Sequence, residues 1–308
     1  MKGKIMSEIN PEFKFKGDEF MNRYRIIGTI TSKSPIHIGT GDRREDNSQL
    51  EKESDNNSDK ERHFIDKIAR DSEGSPYIPG STLRGVIRNY LLQIFRSFNR
   101  KIADDKNYES DDFKNMDQDE QIEYIQNKAS LLEQVFGTPF CETKVDFWDA
   151  TLKNRVDAPE LKTKGWDNDR KSYVVRSVTI DPITGAAEPH KLYSFDVIPS
   201  GLQFEVNIVG QNLNNIEMGF LLFGLNGFNS EIYPLTIGAM AGRGFGRMNF
   251  EPKSIYYLPK DDLPNWSKLA LDLNHAGYDL FLQLPSADLN KMITTFKDAF
   301  RKIIRRAA

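Results

Sequence analysis

PYIPGSTLRGVIRNYLL, residues Pro76–Leu92, is the stretch on which the reading of this chain turns. A Gly turn runs straight into a helical pattern in which Val86, Ile87, Leu91 and Ile94 supply the apolar contacts. The Gly80-Ser81-Thr82 corner brings unpaired backbone N–H groups, a hydroxyl and the positive end of a helix dipole to one place, which suits a phosphate. Arg84 and Arg88 stand four residues apart, so both fall on one helix face and could grip successive phosphates. The same spacing also describes an ordinary amphipathic helix with two solvated arginines.

A second stretch, IGAMAGRGFGRMNFE (Ile237–Glu251), interleaves Gly238, Gly242, Gly244 and Gly246 with Arg243 and Arg247. Glycine at this density permits positive φ and close approach to a ligand backbone. No Gly-Lys-Ser/Thr ends the loop, so it is not a phosphate-binding Walker loop. A strand-like run follows it where a dinucleotide-binding fingerprint would have a helix. Arginines in such a loop, with Phe245 among them, suit a polyanion. The plain alternative is a bulged loop between strands.

Strands and helices alternate around these two motifs. RYRIIGTI (Arg23–Ile30) reads as a first strand, and Pro139–Ala150 and Lys171–Ile180 read as extended. FEVNIV (Phe204–Val209) has the alternation of a central strand, and the apolar run within Asn215–Gly227 reads as a second core helix. Thr236–Glu251 supplies the Gly loop and a closing strand. The order β, α, β, β, α, β is that of a split βαβ domain. The expected fold class is therefore α+β, with a ferredoxin-like core. From residue 288 the tail places Leu289, Met292, Ile293, Phe296, Phe300, Ile303 and Ile304 on one face of an amphipathic helix.

Charge is distributed unevenly. The net charge is −3, yet residues 41–62 hold eight acids against five bases and residues 101–125 nine against three. The remainder has 34 bases and 28 acids, which permits a phosphate-binding groove. The acidic stretch 41–63 has one aliphatic residue before His63, Leu50, and is expected to be a mobile loop. The region 100–134 repeats apolar residues at helical steps and reads as a helical insertion. No apolar run is long enough to span a membrane, the N-terminus lacks a signal peptide's apolar core, and Cys141 is the only cysteine. A cytoplasmic protein without disulfides or a cysteine-based metal site is expected. The four histidines, His37, His63, His190 and His275, show no zinc spacing.

The pair IPGSTLRGVIRN and GRGFGRMNFE resembles the two signatures of the RAMP superfamily of CRISPR proteins. Further pieces match in order: SPIHIGTG (Ser34–Gly41) is similar to the end of that family's first strand, and VFGTPF (Val135–Phe140) followed by VDFWDA to its FG–strand–Asp element. VTIDPITGAAEPHKLYSFDVIPSGLQFEV (Val178–Val206) resembles the protruding β-hairpin, or thumb, of type III backbone subunits. The resemblance spans about residues 24–252. It implies an RRM-related core over residues 23–252, carrying the loop 41–63, the helical insertion 100–134 and a thumb over 178–200. Residues 1–22 and 253–308 would be extensions.

The resemblance further implies a subunit of a type III effector complex. It would bind guide and target RNA, stack beside other RAMP subunits, and have no membrane association. Its RNA-binding residues would be His37, Gly80, Ser81, Thr82, Arg84, Arg88, Gly242, Arg243, Gly244, Gly246 and Arg247. In RHFIDKIARDSEGSPY (Arg62–Tyr77), Asp66 matches the loop Asp with which ribonuclease members cleave RNA, and Asp71 matches a second, structural one. Asp66 would be both catalytic residue and transient ligand of Mg2+ or Mn2+, shared with an RNA phosphate. Two other readings stay open: a structural RNA-binding subunit without cleavage, and an endoribonuclease that processes precursor guide RNA without metal.

Overall fold

Alternation along NRYRIIGTITS makes β1 (Asn22–Ser32) a half-buried strand, with Tyr24, Ile26 and Ile30 turned into the core. In this computed structural model, which describes residues 13–46, 64–105, 108, 110–153, 166–167, 170–271, 282–283 and 286–307, the chain then forms β2 (Gly39–Glu45) and β3 (Phe64–Ile68). Helix α1 (Gly80–Arg96) precedes three shorter ones, α2 (Asp111–Lys114), α3 (Gln118–Lys128) and α4 (Leu131–Phe136). Strands β4 (Val145–Phe147), β5 (Thr151–Leu152), β6 (Trp166–Asp167), β7 (Ser172–Ile180), β8 (Ala187–Val197) and β9 (Gln203–Gln211) follow. Helix α5 (Asn215–Asn226), β10 (Met248–Pro259), α6 (Leu263–Ala270), β11 (Leu282–Gln283) and α7 (Ser286–Ala307) complete the order.

Among the described residues the fold is mixed α+β with two sheets. The first has the order β11-β10-β1-β9-β4, with β5 also on β9, and every pairing in it is antiparallel. Helix α1 lies in the connection from β1 to β4, and α5 connects β9 to β10. Both pack through Leu83, Ile87, Leu91 and Phe95 and through Met218, Phe220, Leu221 and Leu225 into one core with Phe204, Val206 and Ile208 of β9. The register of β1 with β10 shifts between Ile27 and Gly28, beside Pro252, a position where a strand tolerates proline.

The second sheet has the order β2-β3-β8-β7-β6; its β7–β8 hairpin covers the stretch expected to be extended and the expected thumb, whereas β2 and β3 were not expected as strands. Gly41–Glu45, expected at the start of the mobile acidic loop, are instead part of β2, whose Arg43, Arg44 and Glu45 pair with β3. Residues 47–63, with His63, lie outside the described residues, as does His275. Pro139–Ala150, expected to be extended, has strand only at β4, after a tight turn closed by Thr138 and Cys141. Within the region 100–136, Tyr108, Phe113, Ile125 and Ala129 form a small core of their own.

Helix α7 lies on α5. A Cβ built on Gly219 would stand 2.2 Å from the carbonyl oxygen of Phe296, so the two backbones touch. Gly219→Ala is expected to lower stability by about 1–3 kcal/mol in urea unfolding, because backbone has to move. Gly85→Ala is the control: that site on α1 is exposed with open space around it, and the change should stabilise by up to about 1 kcal/mol.

Candidate nucleic-acid interface

The Gly loop folds back on SPIHIGTG. Ala239 N–H donates to His37 O (2.9 Å), Gly246 N–H to Pro35 O (2.8 Å), and Arg247 N–H to Ser34 Oγ (2.9 Å). A Cβ at Gly238 would meet His37 O at 2.3 Å and one at Gly246 would meet Ile237 O at 2.2 Å; both glycines also have positive φ. These two serve the chain's own packing. Gly242 and Gly244 differ: they are exposed, and a Cβ there would meet nothing within 4 Å among the described residues. A ligand backbone can approach at that point, flanked by the exposed Arg243 and Arg247.

From this loop a row of rings leads to Asp66. The Arg243 guanidinium lies 5.3 Å over the Tyr193 ring, Tyr193 stacks with Phe195 (centroids 6.2 Å apart), and Phe245 meets Phe195 edge-on at 6.0 Å. Phe195 pairs with Asp66 across the parallel β3–β8 ladder, and Asp66 pairs with Arg43 across β2–β3. Paired residues share a sheet face, so Arg43, Asp66, Phe195 and Tyr193 belong to one side. Asp66 is thus on a strand and not in a loop, and its Oδ1 accepts from Arg43 Nε at 2.8 Å.

His37 is buried below this surface, its Nδ1 2.7 Å from the carbonyl oxygen of Asp196 and its ring 5.3 Å from Phe195. It shapes the floor of the site and is not exposed on it. Asp71 accepts from the N–H groups of Glu73 and Ser75 and closes a turn.

The IPGS corner behaves differently from the expectation. Pro79 is the N-cap of α1 and no side chain caps it; Ser81 is exposed and Thr82 half-buried. The Gly80 N–H donates to Asp149 Oδ1 at 2.8 Å, so a carboxylate of VDFWDA takes the place proposed for a phosphate. Gly80 is buried, and a Cβ on it would stand 2.1 Å from Phe147 O. Its glycine is required by strand packing. Arg84 is half-buried and gives its Nη2 to the Phe136 carbonyl; burial, then the neighbouring Arg88 charge, pulls its pKa below the ordinary value. Arg88 pairs with Asp105. Both arginines therefore bind the α1–α4 region, and no described contact joins them to the Gly loop.

The β7–β8 hairpin projects from the same sheet. At its tip Asp181 Oδ1 accepts from Ile183 N–H (2.7 Å) and Thr184 N–H (3.0 Å), and the Thr184 and Ile183 donors hold this carboxyl below the usual range. Ile183 is 92% exposed there, with Val178 and Ile180 exposed behind it. Sequence reasoning missed Tyr193 and Asp149. The placement of Asp149 two residues beyond β4 and the aromatic alternation in LYSF were the signals available.

Among the described residues no group of three or more His, Cys, Asp or Glu is arranged to hold a metal ion. Asp66 offers one exposed carboxylate, which fits a hydrated divalent ion shared with phosphate oxygens and not an all-protein cage. No helix among the described residues is long and apolar enough to cross a membrane.

A mixed α+β chain with an arginine-bearing glycine loop beside a projecting hairpin is the class of protein these elements define. The chain belongs to the RAMP superfamily, whose sequence model matches residues 29–249 of its 308. That membership points to a CRISPR-associated, RNA-binding function, with guide RNA and other RAMP subunits as partners. No curated protein matches the chain.

Proposed function

We propose that this protein is a backbone subunit of a type III CRISPR effector complex that holds guide RNA and cleaves bound target RNA. The strand order β10-β1-β9-β4, with α1 and α5 as the two connections, supports a ferredoxin-like core. Gly242, Arg243, Gly244 and Arg247 hold the guide backbone through its phosphates, which carry no sequence information. The hairpin tip, with Ile183 in the lead, presses an apolar wedge against the bases. Asp66 lies beside the bound target strand. A magnesium or manganese ion held by Asp66 would supply charge neutralisation and an activated water. Arg43 is released cheaply from its exposed pair with Asp66 and becomes available to a phosphate.

The observation that carries this reading is the aromatic row Tyr193–Phe195–Phe245, which joins the Gly-loop arginine to the strand bearing Asp66. The Arg43–Asp66 pair also favours a second reading, a structural subunit in which that carboxylate has no chemical role.

The test is binding. Replacing Arg243 and Arg247 together with glutamine should weaken binding of unrelated single-stranded RNAs about equally, by roughly tenfold or more. The plot of log K against log salt should flatten by roughly 0.7 per lost contact. Unchanged affinity and slope in a folded double variant would remove the loop from the interface.

A further inference from the structure

Strand β3 has two faces, and the face opposite Asp66 carries an unassigned cavity of about 390 Å³. It is lined by Arg44, Lys67, Arg70, Gly74, Arg170 and Asp196. The ladders explain this grouping. Ile65 pairs with Arg44 on one side and with Ser194 on the other, so Arg44, Lys67 and Asp196 share the face turned away from Asp66 and Phe195. Arg70 follows β3, and Arg170 comes in from the turn before β7.

Among the described residues four cations thus line the cavity against a single carboxylate. Arg44 Nη2 pairs with Asp196 Oδ1 at 3.1 Å, while the buried Nε of the same guanidinium has no hydrogen-bond partner among the described residues. Arg70 is held in place by three acceptors, the carbonyls of Gly74 and Arg170 and the Ser172 hydroxyl. Arg170 has a loose pair with Asp167 at 3.6 Å. Lys67 has no ion-pair or hydrogen-bond partner among the described residues. Burial lowers the Arg70 pKa, and the charges of Arg170 and Arg44 lower it further against the opposing pull of Asp196 and Asp167. Crowded like charges favour an anion, and forked guanidiniums match the oxygens of a phosphate.

We propose that Arg44, Lys67, Arg70 and Arg170 seat one phosphodiester group of an RNA strand at the base of the hairpin, on the face opposite Asp66. This rests on the RNA-binding reading above. The cavity opens to the surface at the root of the sheet whose other face carries the Gly-loop contact, so a polymer can place a phosphate inside while its sugars and bases stay outside. The seat would hold RNA at a second point and fix its path around the hairpin.

The experiment compares the full chain with two double variants, Lys67→Gln/Arg170→Gln in the cavity and Arg243→Gln/Arg247→Gln in the loop. Both cavity residues are only partly buried and neither pairs with Asp196, so the fold should tolerate the change. Anisotropy of labelled mixed-sequence single-stranded RNA across a salt series is the readout. The cavity variant is expected to lose about tenfold in affinity and roughly 0.7 in salt slope, the share of one phosphate contact. Inorganic phosphate should raise the melting midpoint of the wild type and not that of the cavity variant. If the loop variant loses RNA affinity and the cavity variant keeps it, the seat is overturned and the RNA-binding reading stands. If phosphate stabilises only the wild type while both bind RNA equally, the cavity takes a free small anion and the RNA seat is again overturned. A wild-type chain that binds no RNA overturns both.

Discussion

Lys144→Met is expected to lower the unfolding free energy by about 3–5 kcal/mol, more than Gly219→Ala. Lys144 and Glu217 are buried almost completely, with side-chain exposures of 1% and 0%, and Nζ lies 2.7 Å from Oε1. The ammonium also donates to Asn212 O at 3.0 Å. Burial pulls the Lys144 pKa down, and the Glu217 carboxylate works against that pull. Glu217 has a second duty: it closes the capping box of α5, accepting from Asn214 N–H at 2.9 Å. Removal of Lys144 leaves that buried carboxylate without its ammonium counter-charge at the start of a core helix. Urea unfolding checks the loss. The double change Lys144→Met/Glu217→Gln should recover much of it, because no uncompensated charge is then buried. A Lys144→Met protein as stable as wild type would show that the pair contributes nothing.

Asp66→Asn, in an assembled complex loaded with guide and target, is expected to cut target RNA about a hundredfold more slowly or worse while both RNAs stay bound. The substitution keeps shape and removes charge. It costs the fold little, because the partner pair with Arg43 is exposed on both sides and such pairs contribute about 0–1 kcal/mol. Cutting by the wild type should stop with EDTA and return with magnesium or manganese. Undiminished cutting by the variant would dismiss Asp66 as the catalytic residue. A wild-type complex that never cuts would favour the structural reading, and metal-independent cutting the precursor-processing one.

Much of the first sheet was legible because its signals are local. Alternation in RYRIIGTI and FEVNIV, and the three- and four-residue steps of α1, α5 and α7, depend only on which side of an element meets the core. The β2–β3 part of the second sheet escaped notice for the opposite reason, although its β7–β8 hairpin was expected. GTGDRRE is polar and almost entirely exposed, so nothing in it alternates, and its partner β3 finds β8 only from the far side of the chain. The site shows the same division. The Gly loop could be read from composition alone. The shared face of Arg84 and Arg88 was also readable, but periodicity does not say what lies opposite; here it is the Phe136 carbonyl and Asp105. Gly80 is glycine because Phe147 O is close by, a fact of packing that a phosphate motif imitates.

The contact of α7 with α5 also orders events during synthesis. Helix α5 is buried at Met218, Gly219, Phe220, Leu221 and Leu222 in succession, and part of its cover is Phe296 and Phe300 of α7. The ribosome delivers α7 only after β10, α6 and β11, so a greasy helix waits with one side open until residues 286–307 emerge. Ribosome stalling ahead of α7 is therefore expected to leave that apolar side exposed and the nascent chain prone to aggregate, even though both sheets had already been translated.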